Sequence, residues 1–513
     1  MDGGSDNQAA GRMPRLLPEA LVGLAAVAAN WPILRSFFFQ DDFANLFELA
    51  NFGLKDFVTA PASGHMYMVR NTVFYLTFVV FRMNSTAYYA IALATHVANA
   101  LLLLTLVRRL TNTPWLAWFG ATLFAVVPTD VGTLGWYSVY GHALATTFML
   151  AGLLLLVPRR EAERPTTLPE ALGAAGCLVA ASQSFGTAAA VAVLLPLLAL
   201  LLHSPVRRSR AVVAALWLAP VSVGIAWWAM YSTETRLNPQ PEYQVKMMIA
   251  LAMFYAKVAT MLLHILSLGV VSFLLGAWYP LARYPDAIST TVVGSAGLAL
   301  VLTLAFGSSW TRRNVAAFFL VAFTAYAAIA AGRATLFFAT RPKDLLQAWA
   351  GATRYHYLAQ ASLAVVLCLM VQEAIRCGQE FGLGMRPLRV LLTGWGIAVV
   401  AASGLLRSPT DDYRSERRQV DLIRDAIAAE VAQHPRGSAV CVPNRAASLA
   451  FGFPGWVGVF MLYNPGEELD GRRVYFTTSD PATLALLGPE GGRIRRLLLP
   501  DGACPPGQGR GPT

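Results

Sequence analysis

The stretch STAYYAIALATHVANALLLLTL, residues 85–106, carries no Asp, Glu, Lys or Arg over 22 consecutive positions and closes on Arg108-Arg109. As a helix it would measure about 33 Å, enough to cross a hydrocarbon core of roughly 30 Å. Runs of similar character recur outward in both directions, from LLPEALVGLAAVAANWPIL at 16–34 to a last one at 389–406. Of the 513 residues, 56% are hydrophobic and only 13% charged. Soluble domains carry about a quarter charged residues, so this chain has too few polar side chains to cover a water-facing surface. A polytopic membrane protein follows.

The net charge of +11 is almost all arginine, since Lys occurs only at 55, 246, 257 and 343. Much of the excess falls in short clusters between apolar runs rather than on one basic face, which argues against nucleic acid as a partner. The clusters are Arg12 with Arg15, Arg108-Arg109, Arg159-Arg160 with Arg164, Arg207-Arg208 with Arg210, Arg312-Arg313, and Arg376 with Arg386 and Arg389. The positive-inside rule makes them cytoplasmic. Pairing the apolar runs between clusters predicts about eleven transmembrane helices, at 16–34, 85–106, 114–128, 138–157, 168–183, 186–203, 211–231, 290–307, 315–332, 358–375 and 389–406. Segments 68–82 and 245–279 would put an Arg cluster on the wrong side if they crossed, so they are assigned to interfacial helices. The N-terminus is then cytoplasmic and the C-terminus non-cytoplasmic, in the cell (plasma or inner) membrane. Ala26-Val27-Ala28 has the form of a signal-peptide cleavage site, but the apolar run continues past it, so 16–34 reads as an uncleaved span.

After Arg407 charge returns. A helical pattern near 420–431 and strand-like segments at 438–442, 456–463 and 472–477 predict a small C-terminal α/β domain over 408–513, with a disordered end after Cys504. The fold class is therefore an all-α polytopic membrane protein with a small C-terminal α/β domain. Cys441 and Cys504 flank the polar segment and can pair if it faces an oxidising compartment; Cys177, Cys368 and Cys377 lie in or beside apolar runs.

Long, chemically mixed outer loops at 36–84, 232–289 and 333–357 are where a site belongs. The first begins with Gln40-Asp41-Asp42-Phe43, directly after the first span. Adjacent carboxylates at a membrane boundary must be solvated, paired or used; they could also cap the helix that follows. Gly64-His65-Met66-Tyr67-Met68-Val69-Arg70 comes next, then the span holding His96 and Asn99. Arg354-Tyr355-His356-Tyr357-Leu358 opens a late span, and the loop from Pro128 to His142 lies between.

This succession resembles the lipid-phosphosugar-dependent glycosyltransferases of the GT-C superfamily, most of all the protein O-mannosyltransferases and the transmembrane and tetratricopeptide-repeat family. In that family an acidic pair follows the first span, an Arg-bearing outer segment comes next, and an Arg-Tyr-x-Tyr-Leu element opens a late span. The resemblance covers most of residues 16–406 in order. It departs at Val127-Pro128-Thr129-Asp130, where a His-Pro start is usual, at Gly132, where a Glu is expected, and at Tyr140 and His142, which replace an expected Arg and Asp. No tetratricopeptide pattern is present.

The resemblance implies that residues 1–407 form the catalytic membrane domain. It implies a membrane glycosyltransferase moving a sugar from a polyprenyl-phosphate donor to an acceptor hydroxyl on a glycan, lipid or protein, on the non-cytoplasmic face and with inversion. Elementary chemistry asks for the same residue types. A base must take the acceptor proton, which suits Asp41 or Asp42. A cation must stabilise the departing phosphate, which suits Arg354, with Arg70 and Lys343 as alternates. His65, Tyr355, His356, Asp130 and His142 are candidate substrate contacts, while His96 and His264 read as core histidines. A divalent cation on Asp41, Asp42 and Asp130 is compatible with these residue types. The competing class is a transporter or flippase of a lipid-linked or small polar substrate, which would show mid-membrane ionisable residues or related halves.

Overall fold

The computed structural model describes residues 17–51, 53–59, 61–62, 65–157, 165–202, 209–237, 241–275, 286–334, 352–382, 386–405, 411–445, 455–464, 466–481, 484 and 492–504. Among them seven helical segments are long and apolar enough to cross a membrane: Leu17–Arg35, Ser85–Thr111, Tyr137–Leu156, Arg210–Met230, Val258–Leu275, Ser309–Gly332 and Tyr357–Glu380. Six coincide with predicted spans. The seventh lies inside 245–279, the segment assigned to the interface; its helix runs Pro241–Leu275 and its last 18 residues have the length to cross.

The remaining predicted spans form helices of other kinds. Pro114–Val126 has 13 residues, about 20 Å of rise. The run at 186–203 is two helices, Gly186–Val193 and Leu195–Leu202. Its break falls at Leu194, two residues before Pro196, whose ring removes an N–H and crowds the preceding turn. The apolar parts at 290–306 and 390–399 are also short.

The chain divides into two compact units, one of residues 1–31, 93–134 and 142–407, the other of residues 32–92, 135–141 and 408–513. The first is a helical bundle. Ser309–Ala334 packs on Tyr357–Glu380, and Leu168–Ser184 on Arg210–Leu237. Small residues set the spacing: a Cβ on Gly120 would run into the Cys368 sulfur, so helices Pro114–Val126 and Tyr357–Glu380 approach closely there. Leu200, Ile225, Trp228, Leu298, Val301 and Val390 are exposed on the bundle. Apolar surface of that kind is stable against lipid rather than water, and the chain is a multi-pass membrane protein. At one end, buried Glu373 accepts hydrogen bonds from the Ser308 N–H at 2.8 Å and the Thr311 hydroxyl at 2.8 Å, so it caps the first turn of Ser309–Ala334.

In the second unit α1 (Asp41–Asn51) lies among the aromatic rings of Phe37, Phe38, Phe43, Phe74, Tyr88 and Tyr137, several in edge-to-face contact. The C-terminal segment adds α2 (Asp411–Ala432), β1 (Ala439–Pro443), α3 (Gly455–Tyr463), β2 (Glu468–Leu469), β3 (Arg472–Thr478) and β4 (Leu498–Pro500). Central β3 pairs parallel with β1, antiparallel with β2 and parallel with β4. Its buried Arg472, Val474, Phe476 and Thr478 alternate with more exposed residues, as a strand buried on one face requires. Asp470 and Gly471, at φ 51° and 73°, form the two-residue turn between β2 and β3. The Cys441–Cys504 disulfide joins β1 to the chain beyond β4, with Cα atoms 6.3 Å apart.

One element reverses the sequence expectation. The strand predicted at 456–463 is helix α3. A short, wholly apolar run has no periodicity to choose between the two forms. The local chemistry chooses helix: Gly455 takes φ 65°, and the Asn444 side chain accepts the Val457 N–H at 3.2 Å as a cap. α1 packs on α3, and α2 packs on both α3 and β1.

Candidate functional site

The acidic pair opens α1. Gln40 sits at φ 43°, a turn that brings the Phe39 N–H back onto Asp42 Oδ2 at 3.0 Å. The other carboxylate oxygen of Asp42 accepts the Ser138 N–H at 2.5 Å and the Ser138 hydroxyl at 2.6 Å. Asp42 is fully buried, whereas Asp41, its neighbour, is exposed. Burial pushes the Asp42 carboxyl up to about 6, against the opposing pull of the Ser138 and Phe39 donors.

Arg70 holds the same serine through its carbonyl, donating from Nη1 to Ser138 O at 2.8 Å. Its Nη2 donates to Asn45 Oδ1 at 2.9 Å and its Nε to Asn71 Oδ1 at 2.9 Å, while the guanidinium carbon stands 4.2 Å from the Tyr67 ring centre. Asn45 donates to the Ser138 hydroxyl at 2.9 Å and to the Asp41 carbonyl at 2.6 Å. Asn71 donates to Phe57 O at 2.7 Å. Asp42 and Arg70, read separately in the sequence as base and phosphate ligand, thus meet on Ser138, a residue the sequence reading did not single out.

The bundle unit holds a second polar cluster. Buried His96 has Nε2 3.0 Å from Ala125 O and 3.6 Å from Asp130 Oδ2, and Nδ1 2.7 Å from the Tyr357 hydroxyl. Ala125 O only accepts, so Nε2 carries a proton; in the neutral imidazole Tyr357 then donates to Nδ1. The same phenol oxygen accepts from Asn99 Nδ2 at 3.2 Å, and Asn99 also donates to Ala143 O at 2.9 Å and accepts from Thr147 Oγ1 at 2.7 Å. His96 is a satisfied core histidine, as its apolar face suggested. Its partner Asp130, fully buried, came from a different motif.

Arg354 lies half-buried in the turn Thr353–Tyr355, its guanidinium carbon 4.7 Å from the Tyr355 ring centre and Nη2 3.4 Å from the Tyr355 hydroxyl. Thr133 Oγ1 donates to Arg354 O at 3.3 Å. A Cβ at Gly132 would collide with Thr353 and stand 2.9 Å from Arg354 N. The glycine found where the family resemblance implied a Glu therefore serves close approach of two backbones. His356 is buried with Nδ1 3.1 Å from the Tyr326 hydroxyl, and His142 is buried with its ring 3.6 Å from that of Phe185.

Lys343 lies outside the described residues. His65 is described only by its backbone, which pairs with Ala62 in a two-residue ribbon. Among the described residues no three His, Cys, Asp or Glu side chains converge in a way that could hold a cation, and both Asp42 oxygens already accept protein hydrogen bonds. Ser138, Asn45 and Asn71 carry no signal in the sequence that would have grouped them with the acidic pair; Tyr357 stands in the Arg354–Leu358 element, but nothing in its spacing joins it to His96.

No family model and no curated protein matches the chain. Among solved structures, ArnT from Cupriavidus metallidurans, bound to undecaprenyl phosphate, is matched at 10% identity and a TM-score of 0.34, over 94% of this chain and 89% of that one.

Proposed function

We propose that this chain is a membrane glycosyltransferase of the GT-C type, moving a sugar from a polyprenyl-phosphate donor to an acceptor hydroxyl. The observation that carries the reading is the division within the acidic pair. Asp42 is buried and spent on Ser138 and Phe39, while Asp41 stands exposed at the first turn of a helix that begins six residues after a membrane-crossing segment. There an acceptor can arrive from water and a lipid-linked donor from the bilayer. In the reaction Asp41 takes the proton of the acceptor hydroxyl as its oxygen bonds to the anomeric carbon. The bond from that carbon to the phosphate oxygen breaks, its electrons leave with polyprenyl phosphate, and the configuration inverts.

Arg354 is assigned to the donor phosphate, because a half-buried guanidinium held over an aromatic ring keeps its orientation and can grip two phosphate oxygens. Arg70 is assigned to holding Ser138, and through it the shape of the turn that carries the pair. In this reading the N-terminus is cytoplasmic, residues 1–407 carry the transfer chemistry, and residues 408–513 form a non-cytoplasmic domain. The test uses full-length protein in lipid nanodiscs with radiolabelled polyprenyl-phosphate hexoses and pentoses, water standing in for the acceptor. Expected are donor binding, slow release of polyprenyl phosphate, binding weakened at least about tenfold in Arg354→Ala, and partial recovery in Arg354→Lys. Normal binding and release by Arg354→Ala would reduce this arginine to a membrane anchor. Movement of intact donor across a vesicle membrane without release would make the chain a flippase.

A further inference from the structure

Helix α1, which opens on the acidic pair, has 11 residues, about 16 Å of rise. A helix that short is marginal alone and owes its form to what it packs against. Its exposed residues are Asp41 and Glu48, two turns apart on one stripe, and its other side chains are buried or half-buried. At its first turn the supports are Ser138 and Arg70, which hold Asp42 and Asn45. At its other end they come from the C-terminal segment, which belongs to the same compact unit. There α1 packs on α3 and on the helix Gly492–Leu497. Asn51, buried and the last residue of α1, accepts the Ile494 N–H on Oδ1 at 3.2 Å. That amide lies in the first turn of Gly492–Leu497 and has no carbonyl partner within its own helix, so Asn51 caps it from outside. Upstream, the Arg417 guanidinium carbon of α2 stands 5.6 Å from the ring centre of Phe37, whose ring lies 6.2 Å from that of Phe43 in α1.

Both elements that touch α1 lie inside one covalent loop. Cys441 and Cys504, 63 residues apart, join β1 to the chain beyond β4, on either side of the central β3. Within that loop Phe460 of α3 meets Phe476 of β3 at 5.4 Å, and Gly492–Leu497 packs on β3 and β4. Ile494 and Leu497 are fully buried. Closing a loop acts chiefly on the open state, by removing conformations it would otherwise explore. The conformations removed include those in which α3 and Gly492–Leu497 part from the sheet, and so from α1. Held at its first turn alone, α1 is free to tilt and to fray backward from Asn51. Held at both ends it keeps one orientation, and Asp41 keeps it too.

We propose that the loop closed by Cys441 and Cys504 clamps α1, and that Asn51 is a positioning residue for Asp41. The clamp rests on contacts alone; that it serves proton transfer rests on the transferase reading. The experiment measures hydrogen–deuterium exchange and donor cleavage, with water as acceptor, on the full chain in nanodiscs. Wild type is compared with Cys441→Ser/Cys504→Ser, Asn51→Ala and Asn51→Asp, the last of which keeps an acceptor oxygen. Exchange over 41–51 should be at least about tenfold faster in the serine pair and in Asn51→Ala, nearer wild type in Asn51→Asp, and unchanged over 128–134 of the bundle unit. In the same two variants kcat for release of polyprenyl phosphate should fall at least about fivefold while donor KM stays within about twofold, because misplacing a reacting group costs rate more than binding. Unchanged exchange over 41–51 in both variants overturns the clamp, and equal acceleration over 128–134 overturns it in favour of general loosening. Faster exchange over 41–51 with kcat intact overturns the positioning role, as does an Asn51→Asp protein no better than Asn51→Ala. No release from the wild type would sink the transferase reading alone, since exchange decides the clamp without it.

Discussion

Two buried polar clusters, one in each unit, solve the same problem in opposite ways. Around Ser138 the groups are ionic, a carboxylate on the serine N–H and hydroxyl and a guanidinium on its carbonyl. Around Tyr357 the central contact is between a phenol, an imidazole and an amide, with the one carboxylate, Asp130, 3.6 Å from His96. Ionic clusters fail abruptly when one member is removed, because a charge is left behind in a poor solvent. Neutral ones lose little more than a hydrogen bond. The acidic pair is therefore mounted on the more fragile of the two supports, and the difference can be measured.

The largest effect is expected at Arg70. Arg70→Met strips the Ser138, Asn45 and Asn71 acceptors of their donor and removes a buried positive charge that interacts with Asp42, at a cost of about 3–5 kcal/mol. The thermal midpoint in nanodiscs should fall sharply, and Asp42→Asn/Arg70→Met should recover part of the loss. A double variant no better than the single one would mean that the two charges are not coupled through Ser138. Next comes pH. Asp42 is raised from 3.8 to about 6 in the folded state, so between these values the folded chain holds a proton that the unfolded chain has released. Its contribution to stability is present in full below about pH 4 and lost as pH rises through about 6, a change of about 3 kcal/mol. Unfolding midpoints of wild type and Asp42→Asn should converge toward low pH and separate toward neutrality, the Asn variant being the more stable there. Parallel curves would show that Asp42 titrates normally.

Third is the exposed member of the pair. Asp41→Asn should slow release of polyprenyl phosphate about a hundredfold, or about 2.7 kcal/mol of barrier, with donor binding kept. Its exposure predicts almost no change in stability. Near-normal turnover in Asp41→Asn with loss in a folded Asp42→Asn would transfer the base to the buried carboxylate.

How far these features could be read in advance depended on whether their cause was local. The spans were legible because length and apolarity are properties of a single segment, and α2 because its charges follow a helical period. The acidic pair at a helix start was legible for the same reason. At 245–279 two arguments pull apart: the Arg clusters place the segment at the interface by counting sides, while its helix Val258–Leu275 has the length and apolarity to cross. α3 was misread because only its Asn444 cap and the φ of Gly455 separate helix from strand. Ser138 was invisible: its partners at 42, 45 and 70 are brought to it by tertiary packing, and a serine among aromatic residues has no signature. His96 and Asp130 were each noticed, but nothing in their spacing joined them.

The smallest effect separates the two clusters most sharply. Tyr357→Phe removes one hydroxyl and keeps the ring that packs on Phe124 and His96. The lost oxygen leaves His96 Nδ1 without its donor and Asn99 Nδ2 with Ala143 O alone. All the groups so exposed are neutral, and Asn99 retains Thr147 on its other side. The cost should be that of one or two buried hydrogen bonds, about 1–2 kcal/mol, well below that of Arg70→Met. Because the Tyr357 hydroxyl is the hinge between His96 and Asn99, His96→Phe should destabilise the Tyr357→Phe background by less than it destabilises wild type, with a coupling of about 0.5 kcal/mol or more. Thermal midpoints of the four proteins in nanodiscs complete the cycle. Additive losses would show that the hydroxyl does not link the two side chains. A loss from Tyr357→Phe as large as that from Arg70→Met would remove the distinction between an ionic and a neutral support.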